Sequence, residues 1–380
     1  MSARPIVHVH HLIDTLATGG AETLLAELTR VAGDQGLHIT VGYLQDRAGG
    51  AAHERLLAAQ DEVKLVGIPG RLGPTALWRT RTHLAAVAPD ILHTHLGYSD
   101  LLGCLAARSL GLPAVSTVHQ EVWHDGTAKS RLRARLTAHS RRAGTQRVIA
   151  VSEPTRAAYL ATGWDRPDRV VTIRNGVAGR AQPGAGVRIR QELALRPGAL
   201  VVGTLSALRP EKSHDVAIAA VGMLLDEYPS LRLVIPGDGP HREAVQVLAE
   251  RLGDRVVLAG SRVDVMSLLD AYDVLLHPSR PGAEALPTAC LEAMAASVPV
   301  VATDVGGTRE VLAGGASGVL VPSGAGFVEV AAALSPLLDD PQRRRALGEA
   351  GRRRFEAEFT AERWAQRLGV LYREVLAEGR

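Results

Sequence analysis

"EALPTACLEAMAASVPVVATDVGGTREV", residues 284–311, decides how the rest of the chain is read. It runs as a turn, a helix, a strand and a Gly-rich turn. Pro287 suits the first turn of a helix, where its missing N–H costs nothing. The run around Val298–Thr303 is short, apolar and β-branched, as in a strand covered on both faces. Two carboxylates, Glu284 and Glu292, bracket residues that are otherwise apolar or small. Such a pair is either a solvated helix edge or the rim of a ligand site.

Working outward, the same alternation of short β-rich runs and longer helical patterns fills the chain. The first half offers strands at Ile6–His10, Ile39–Tyr43, Val63–Val66, Ile91–His95, Ala114–Val118, Arg147–Val151 and Val170–Ile173. The second offers Leu200–Leu205, Leu231–Pro236, Val256–Ala259, Val274–His277 and Val298–Thr303. This rhythm predicts an α/β chain of two Rossmann-like domains facing across a cleft. The Gly-, Arg- and Pro-rich stretch 176–198 places the boundary near 178, giving domains 1–178 and 179–359. Thr360–Ala377 is an amphipathic helix pattern with Trp364, Leu368, Leu371, Tyr372 and Val375 on one side. It is expected to cross back onto the first domain.

The 380 residues suit two domains, and 46% hydrophobic with 22% charged content is that of a globular protein. A net charge of +3 allows anionic partners without requiring them. The only cysteines, Cys104 and Cys290, sit in apolar helical patterns and read as buried reduced thiols. The N-terminal residues lack a long apolar core, so no secretory leader is expected, and no apolar run is long enough for a membrane span. Location in the cytoplasm, peripheral at the inner face of a membrane, is the expectation.

Ligands of open parallel sheets bind beyond the carboxyl ends of the strands. Four stretches carry chemistry there. Glu284 lies in a loop before a helix whose free N–H groups near Leu286, Pro287 and Thr288 favour an anion. Glu292 lies further along that helix, where a carboxylate can accept paired hydrogen bonds from vicinal hydroxyls. The pair suits a ligand with hydroxyls at both ends and phosphates between. After the strand ending at Gly203, the loop "LRPEK" carries Arg209 and Lys212, where a diphosphate would be held. "TGGAE" after the first strand has Gly19 and Gly20, which let backbone approach a ligand. "STVHQ" leaves His119 at a strand end, able to hydrogen-bond a hydroxyl or developing charge. Taken alone, each of these reads more readily as an ordinary loop, helix edge or helix start. His8/His10 and His93/His95 have a spacing compatible with zinc, but neighbouring strands more often just pack such residues. No metal is expected.

Together with "DILHTH", "VSEPTRAAYL", "RNGV", "VIPGDGPHRE", "LAGSRVDV" and "GVLVP", these stretches resemble, in order and over nearly the whole chain, the retaining glycosyltransferases of family 4 with the two-domain GT-B fold. The resemblance implies a first domain for the acceptor and a second for the nucleotide-sugar donor. It implies Glu284 on the hydroxyls of the transferred sugar, Glu292 on the nucleotide ribose, and Arg209 and Lys212 as a clamp on the diphosphate. Gly20 would approach the phosphates or the acceptor, His119 the sugar, and Arg262 and Val263 the base, chiefly through backbone. It implies no cofactor, no metal and no protein nucleophile.

Several positions depart from that pattern. Ala207 stands where an arginine is usual, and Ser213, Ala285 and Ser297 stand where glycine is usual. These leave open a catalytically weak member acting as a partner or scaffold. A zinc hydrolase would leave the second half unexplained, and a nicotinamide dehydrogenase would need a Gly fingerprint that is missing. The acceptor is expected to be a sugar, a glycolipid or a small molecule, and no nucleic acid is expected. The stretch Lys129–Arg147 has seven cations (Lys129, Arg131, Arg133, Arg135, Arg141, Arg142 and Arg147) and no acid. It predicts a helix that docks on an anionic membrane.

Overall fold

The computed structural model describes residues 6–16, 20–45, 54, 56, 63–67, 74–120, 126–179 and 184–378. Two compact units emerge: Met1–Gly176 with Ala361–Arg380, and Val177–Thr360.

The first unit holds a seven-stranded sheet of β1 (Val7–Ile13), β2 (Leu37–Tyr43), β3 (Val63–Leu65), β4 (Ile91–His95), β5 (Ala114–Val118), β6 (Arg147–Ala150) and β7 (Val170–Thr172). Its order is β3-β2-β1-β4-β5-β6-β7, and every pairing is parallel. The second holds β8 (Val201–Gly203), β9 (Arg232–Pro236), β10 (Val256–Gly260), β11 (Val274–His277), β12 (Val300–Thr303) and β13 (Val319–Val321), in the order β10-β9-β8-β11-β12-β13. Both are doubly wound. The winding reverses between β1 and β4, and again between β8 and β11. At such a switch point neighbouring loops leave the sheet in opposite directions and open a crevice.

Parallel strands need crossover helices, which cover both faces of the sheet. That is why β9, β11 and β12 are buried along their whole length. In the second unit Leu233, Ile235, Val274 and Leu276 pack with Val221, Leu334 and Leu337 into one core. Burial of each such side chain contributes roughly 1.5–3 kcal/mol.

β1 and β13 depart furthest from the reading of the sequence, beside shifts of one or two residues at the ends of other strands. β1 does not stop at His10 but runs on to Ile13, because His11 is buried and paired rather than solvated. β13 was not read as a strand, being only three residues long. Pro287 is the cap residue before the helix Thr288–Ala295, with extended backbone, and not its first residue.

The C-terminal helix Ala361–Glu378 belongs to the first unit. Tyr372 is fully buried there, with its hydroxyl 2.6 Å from His93 Nδ1, and Arg147 pairs with Glu378.

Both serines standing in place of glycine have left-handed backbone, Ser213 at φ 51° and Ser297 at φ 58°. A side chain there is strained by contact of Cβ with its own carbonyl. Ser297 is exposed. Replacing it by glycine is expected to stabilise the protein by about 0.5–1 kcal/mol, raising the unfolding temperature by about 2 °C. A calorimetric scan with no rise would show that the strain is already relaxed.

Candidate active site

In the second unit the loops after β8 and β11 meet at the switch point. The first forms a tight turn, Pro210–Lys212, before the helix His214–Leu224. The second is tied to it by the Arg280 N–H on the Glu211 carbonyl (2.9 Å) and by Arg280 Nε on Ser213 Oγ (3.2 Å). Thr303 Oγ1 holds the Ser279 carbonyl at 2.6 Å. These ties bring Glu284, buried to 8% exposure, under three partners. Lys212 Nζ donates to its Oε1 at 2.5 Å, Ser279 Oγ donates at 2.7 Å, and His277 Nε2 lies at 2.8 Å. All three fall on Oε1, which leaves Oε2 outside the knot.

Burial alone would raise the Glu284 pKa, but the charges and hydrogen bonds of His277 and Lys212 hold it down to about 2. The carboxylate is therefore ionised at any pH where the protein works. An ionised, buried, pre-oriented carboxylate is a hydrogen-bond acceptor for hydroxyls.

His277 and Ser279 were not picked out from sequence. His277 ends a strand at its carboxyl side, the same signal that marked His119.

Arg209 is exposed, and its guanidinium makes no hydrogen bond or ion pair with a described residue. Glu292 lies half-buried on the helix Thr288–Ala295. The N–H groups of Thr288 and Ala289 have no intrahelical acceptor, whereas those of Cys290 and Leu291 already reach the Pro287 carbonyl at 3.1 and 3.4 Å. Leu286 and Pro287 are buried in the approach to it. Gly203 has a reason inside the fold: a Cβ there would lie 1.9 Å from the ring of Tyr272. That ring, not a ligand, is what forbids a side chain. Arg262 is saturated by carboxylates, pairing with Glu192 and with Asp264 (2.7 Å), and these hold its guanidinium charged. It fixes the loop, while Val263 beside it is 63% exposed.

The first unit has its own site at the β1/β4 switch point. A cavity of about 150 Å³ is lined by Asp14, Tyr98, Thr117, His119 and Arg133 among others. Asp14, also missed in the sequence, accepts the backbone N–H groups of Ser99 (2.7 Å) and Tyr98 (3.2 Å) in the first turn of the helix Gly97–Leu110. Burial pushes its pKa up to about 6, against the pull of those two bonds. Gly20 opens the helix Gly20–Ala32, and a Cβ there would meet nothing within 4 Å. The fold itself thus asks for no glycine at 20. Gly19 lies outside the described residues, as do most positions between Gln45 and Leu77.

The basic helix is corrected in two respects. Ala128–Gly144 presents Lys129, Arg131, Arg133, Arg135 and Arg142 to solvent, with Leu132 and Leu136 exposed among them. Arg141 is turned inward and is 5% exposed. It forms a 2.5 Å ion pair with Asp100, which also accepts from Thr94 and Ser116, both at 2.6 Å. Arg147 begins β6 and pairs with Glu378.

The histidines whose spacing is compatible with zinc split up. His8 and His10 both reach Thr40 Oγ1, at 3.0 and 2.8 Å. His93 and His95 cluster instead with His11, one ring nitrogen of each lying within 4.8 Å of the others. Their rings stack, His93 on His95 at 4.2 Å between centroids and His11 on His95 at 11° between planes. The nearly parallel His11 and His95 rings are joined Nδ1 to Nε2 at 2.8 Å, while His93 is tilted by 29° to His95 and by 40° to His11.

Residues 187–354 match the family described as "Glycosyl transferases group 1", and residues 18–178 match "Glycosyltransferase Family 4". The alpha-maltose-1-phosphate synthase of Mycolicibacterium smegmatis is 31% identical over 325 residues, covering 77% of this chain and 81% of that protein. A D-inositol 3-phosphate glycosyltransferase of Thermobispora bispora is 27% identical over 94% of this chain and 90% of its own. The crystal structure of Anabaena HepE with UDP-glucose superposes with a TM-score of 0.81 at 23% identity, over 98% of both chains. Two doubly wound units, a carboxylate knot at one switch point and this set of relatives lead to one conclusion: the chain belongs to the group 1 glycosyltransferases and has the two-domain GT-B fold.

Proposed function

We propose that the protein transfers a hexosyl group from a nucleoside diphosphate sugar to an acceptor hydroxyl, with retention of anomeric configuration and without a metal. The observation that carries this reading is the knot of Lys212, His277 and Ser279 on Glu284. It makes a fixed anion beside a fixed cation at a switch point. HepE, crystallised with UDP and with UDP-glucose, supports a nucleotide-sugar donor.

In this reading Glu284 accepts hydrogen bonds from hydroxyls of the transferred sugar. Lys212, whose ammonium has three donors, bridges Glu284 and the departing diphosphate, and Arg209 closes on the phosphates from its exposed position. The helix N-terminus at Thr288 adds its N–H groups. Glu292 takes the ribose, and the backbone around Arg262 and Val263 takes the base. The cavity of the first unit takes the acceptor, with Asp14 and His119 toward its hydroxyls and Gly20 leaving room for backbone approach. The leaving phosphate assists attack from its own face, so no protein nucleophile is required. Catalysis is then positioning plus charge stabilisation.

One nucleoside diphosphate among UDP, GDP, ADP and TDP is expected to raise the unfolding temperature. At a hundredfold excess over Kd the stabilisation is about 2.7 kcal/mol. It should be insensitive to EDTA and lost in Glu292→Ala. A thermal-shift series in which none of the four acts would overturn the assignment of the donor site.

The acceptor is proposed to be a small or lipid-linked hydroxyl compound, met at the cytoplasmic face of a membrane. Five exposed cations and the exposed Leu132 and Leu136 on one helix support this. Each basic residue near an anionic surface contributes roughly 1 kcal/mol. Sedimentation with phosphatidylglycerol vesicles at low salt is expected to carry the protein down, and to fail after Arg131→Glu with Arg135→Glu. Protein left in the supernatant would reject docking.

A further inference from the structure

His11, His95 and His119 form a line of imidazoles reaching from the interior of the first sheet to the cavity. His11 Nδ1 lies 2.8 Å from His95 Nε2, and His95 Nδ1 lies 2.9 Å from His119 Nε2. His11 is fully buried, and its Nε2 has no partner among the described residues. His119 lines the cavity, and with Nε2 committed to His95, Nδ1 is its ring nitrogen left for a ligand. His93 stacks on His95 and lies tilted by 40° against His11, but is satisfied separately, between Tyr372 Oη and Thr117 Oγ1, each at 2.6 Å.

All these rings are neutral. Burial holds His11 down to about 3 and His119 to about 4, the latter also repelled by the Arg141 cation. Burial, followed by neighbouring histidines, keeps His93 and His95 well below the ordinary histidine range. A neutral imidazole has one N–H, so each bond in the line must run the same way. Only two arrangements exist. In one, every ring carries its proton on Nε2, which strands a buried N–H on His11 with no acceptor. In the other, every proton is on Nδ1, and what is stranded is a bare lone pair. An orphaned buried N–H is the rarer situation in folded proteins.

We propose that His11 and His95 are positioning residues: they lock His119 as the Nδ1–H tautomer and so make it a fixed hydrogen-bond donor to the cavity. The geometry involves the first unit alone, but its use in transfer rests on the proposed function, in which His119 meets a hydroxyl oxygen of the reacting sugars. A donor locked in this way needs no tautomer change as charge develops on that oxygen. The lock is transmitted by two hydrogen bonds, with no proton entering or leaving the line.

Long-range ¹H–¹⁵N correlation spectra of protein labelled in its histidines read each tautomer directly. At neutral pH the expected result is a proton on Nδ1 of His11, His95 and His119. His11→Phe keeps a ring for packing and cuts the line. It should leave His119 a mixture of tautomers and lower kcat roughly 10-fold with donor KM unchanged. His95→Asn, whose amide N–H can replace Nδ1–H, should restore the His119 signal that His95→Leu loses.

A wild-type His119 carrying its proton on Nε2 would overturn the proposal. So would a tautomer unmoved by His11→Phe, or a stoichiometric zinc ion on the cluster. If His11→Phe fails to fold, the wild-type spectrum and the Asn/Leu pair at position 95 still decide. The expected tautomers in a protein that transfers no sugar would leave the lock standing and count against the proposed function instead.

Discussion

Glu284→Gln is expected to lower the rate of sugar transfer by about 10²–10³-fold, on the scale of removing one pre-oriented charged partner from an active site. The amide is nearly isosteric, so the loss is one of charge. Glutamine can keep its carbonyl oxygen under Lys212 and Ser279 at the Oε1 position, but it carries no charge and presents an NH₂ where Oε2 would accept from the sugar. Turnover should fall further than donor affinity, and nucleoside diphosphate should still stabilise the variant through Glu292. Steady-state kinetics with the matched donor check this. A loss of less than tenfold would mean that Glu284 does not touch the sugar.

The same carboxylate fixes a pH dependence. Its folded pKa of about 2 lies below the ordinary value of 4.5. Such a group stabilises the fold fully above the unfolded pKa, and that contribution is lost as pH falls from about 4.5 toward 2. The contribution at neutral pH is on the order of 3 kcal/mol. The Gln variant should therefore lose part of the acid sensitivity of the wild type.

Asp100→Ala is expected to destabilise the first unit by about 3–5 kcal/mol, because it leaves the buried Arg141 guanidinium without its counter-charge. The carboxylate ties two strands and two helices together, through Thr94 on β4, Ser116 on β5 and Arg141 on the helix Ala128–Gly144. The unfolding temperature should fall by roughly 10 °C. Arg141→Met should cost a similar amount by stranding Asp100. The double variant Asp100→Leu with Arg141→Met should cost much less than the sum, since neither charge is then left buried without its partner. Additive losses in the double-mutant cycle would show that the pair is not coupled.

The sequence displayed some of this directly and hid the rest for physical reasons. Ile91–His95, Ala114–Val118 and Val274–His277 are strands over the residues expected, because apolar runs bounded by breakers have few alternatives. Lys212 and Glu284, 72 positions apart, were both marked, and the fold brings them together. His277 and Ser279 join them only because the loop after β11 folds back on itself, a contact no periodicity records. Arg141 was counted with the surface cations because its partner stands 41 residues upstream on another helix. Ending β1 at His10 hid His11, since a polar residue in a strand is judged by its neighbours in the sheet, and those come from β4.

The two passages of the chain between the units lie side by side: Val177 bridges Thr360, and its N–H meets the Phe359 carbonyl at 3.0 Å. This has a consequence for synthesis on the ribosome. The first unit to leave the exit tunnel cannot close its core, because Tyr372, which seals the histidine cluster through His93, is encoded near the end of the message. At ordinary elongation rates the nascent first sheet waits roughly 10–40 s for its last helix. During that interval the second unit, continuous in the message, can finish folding ahead of the one that precedes it.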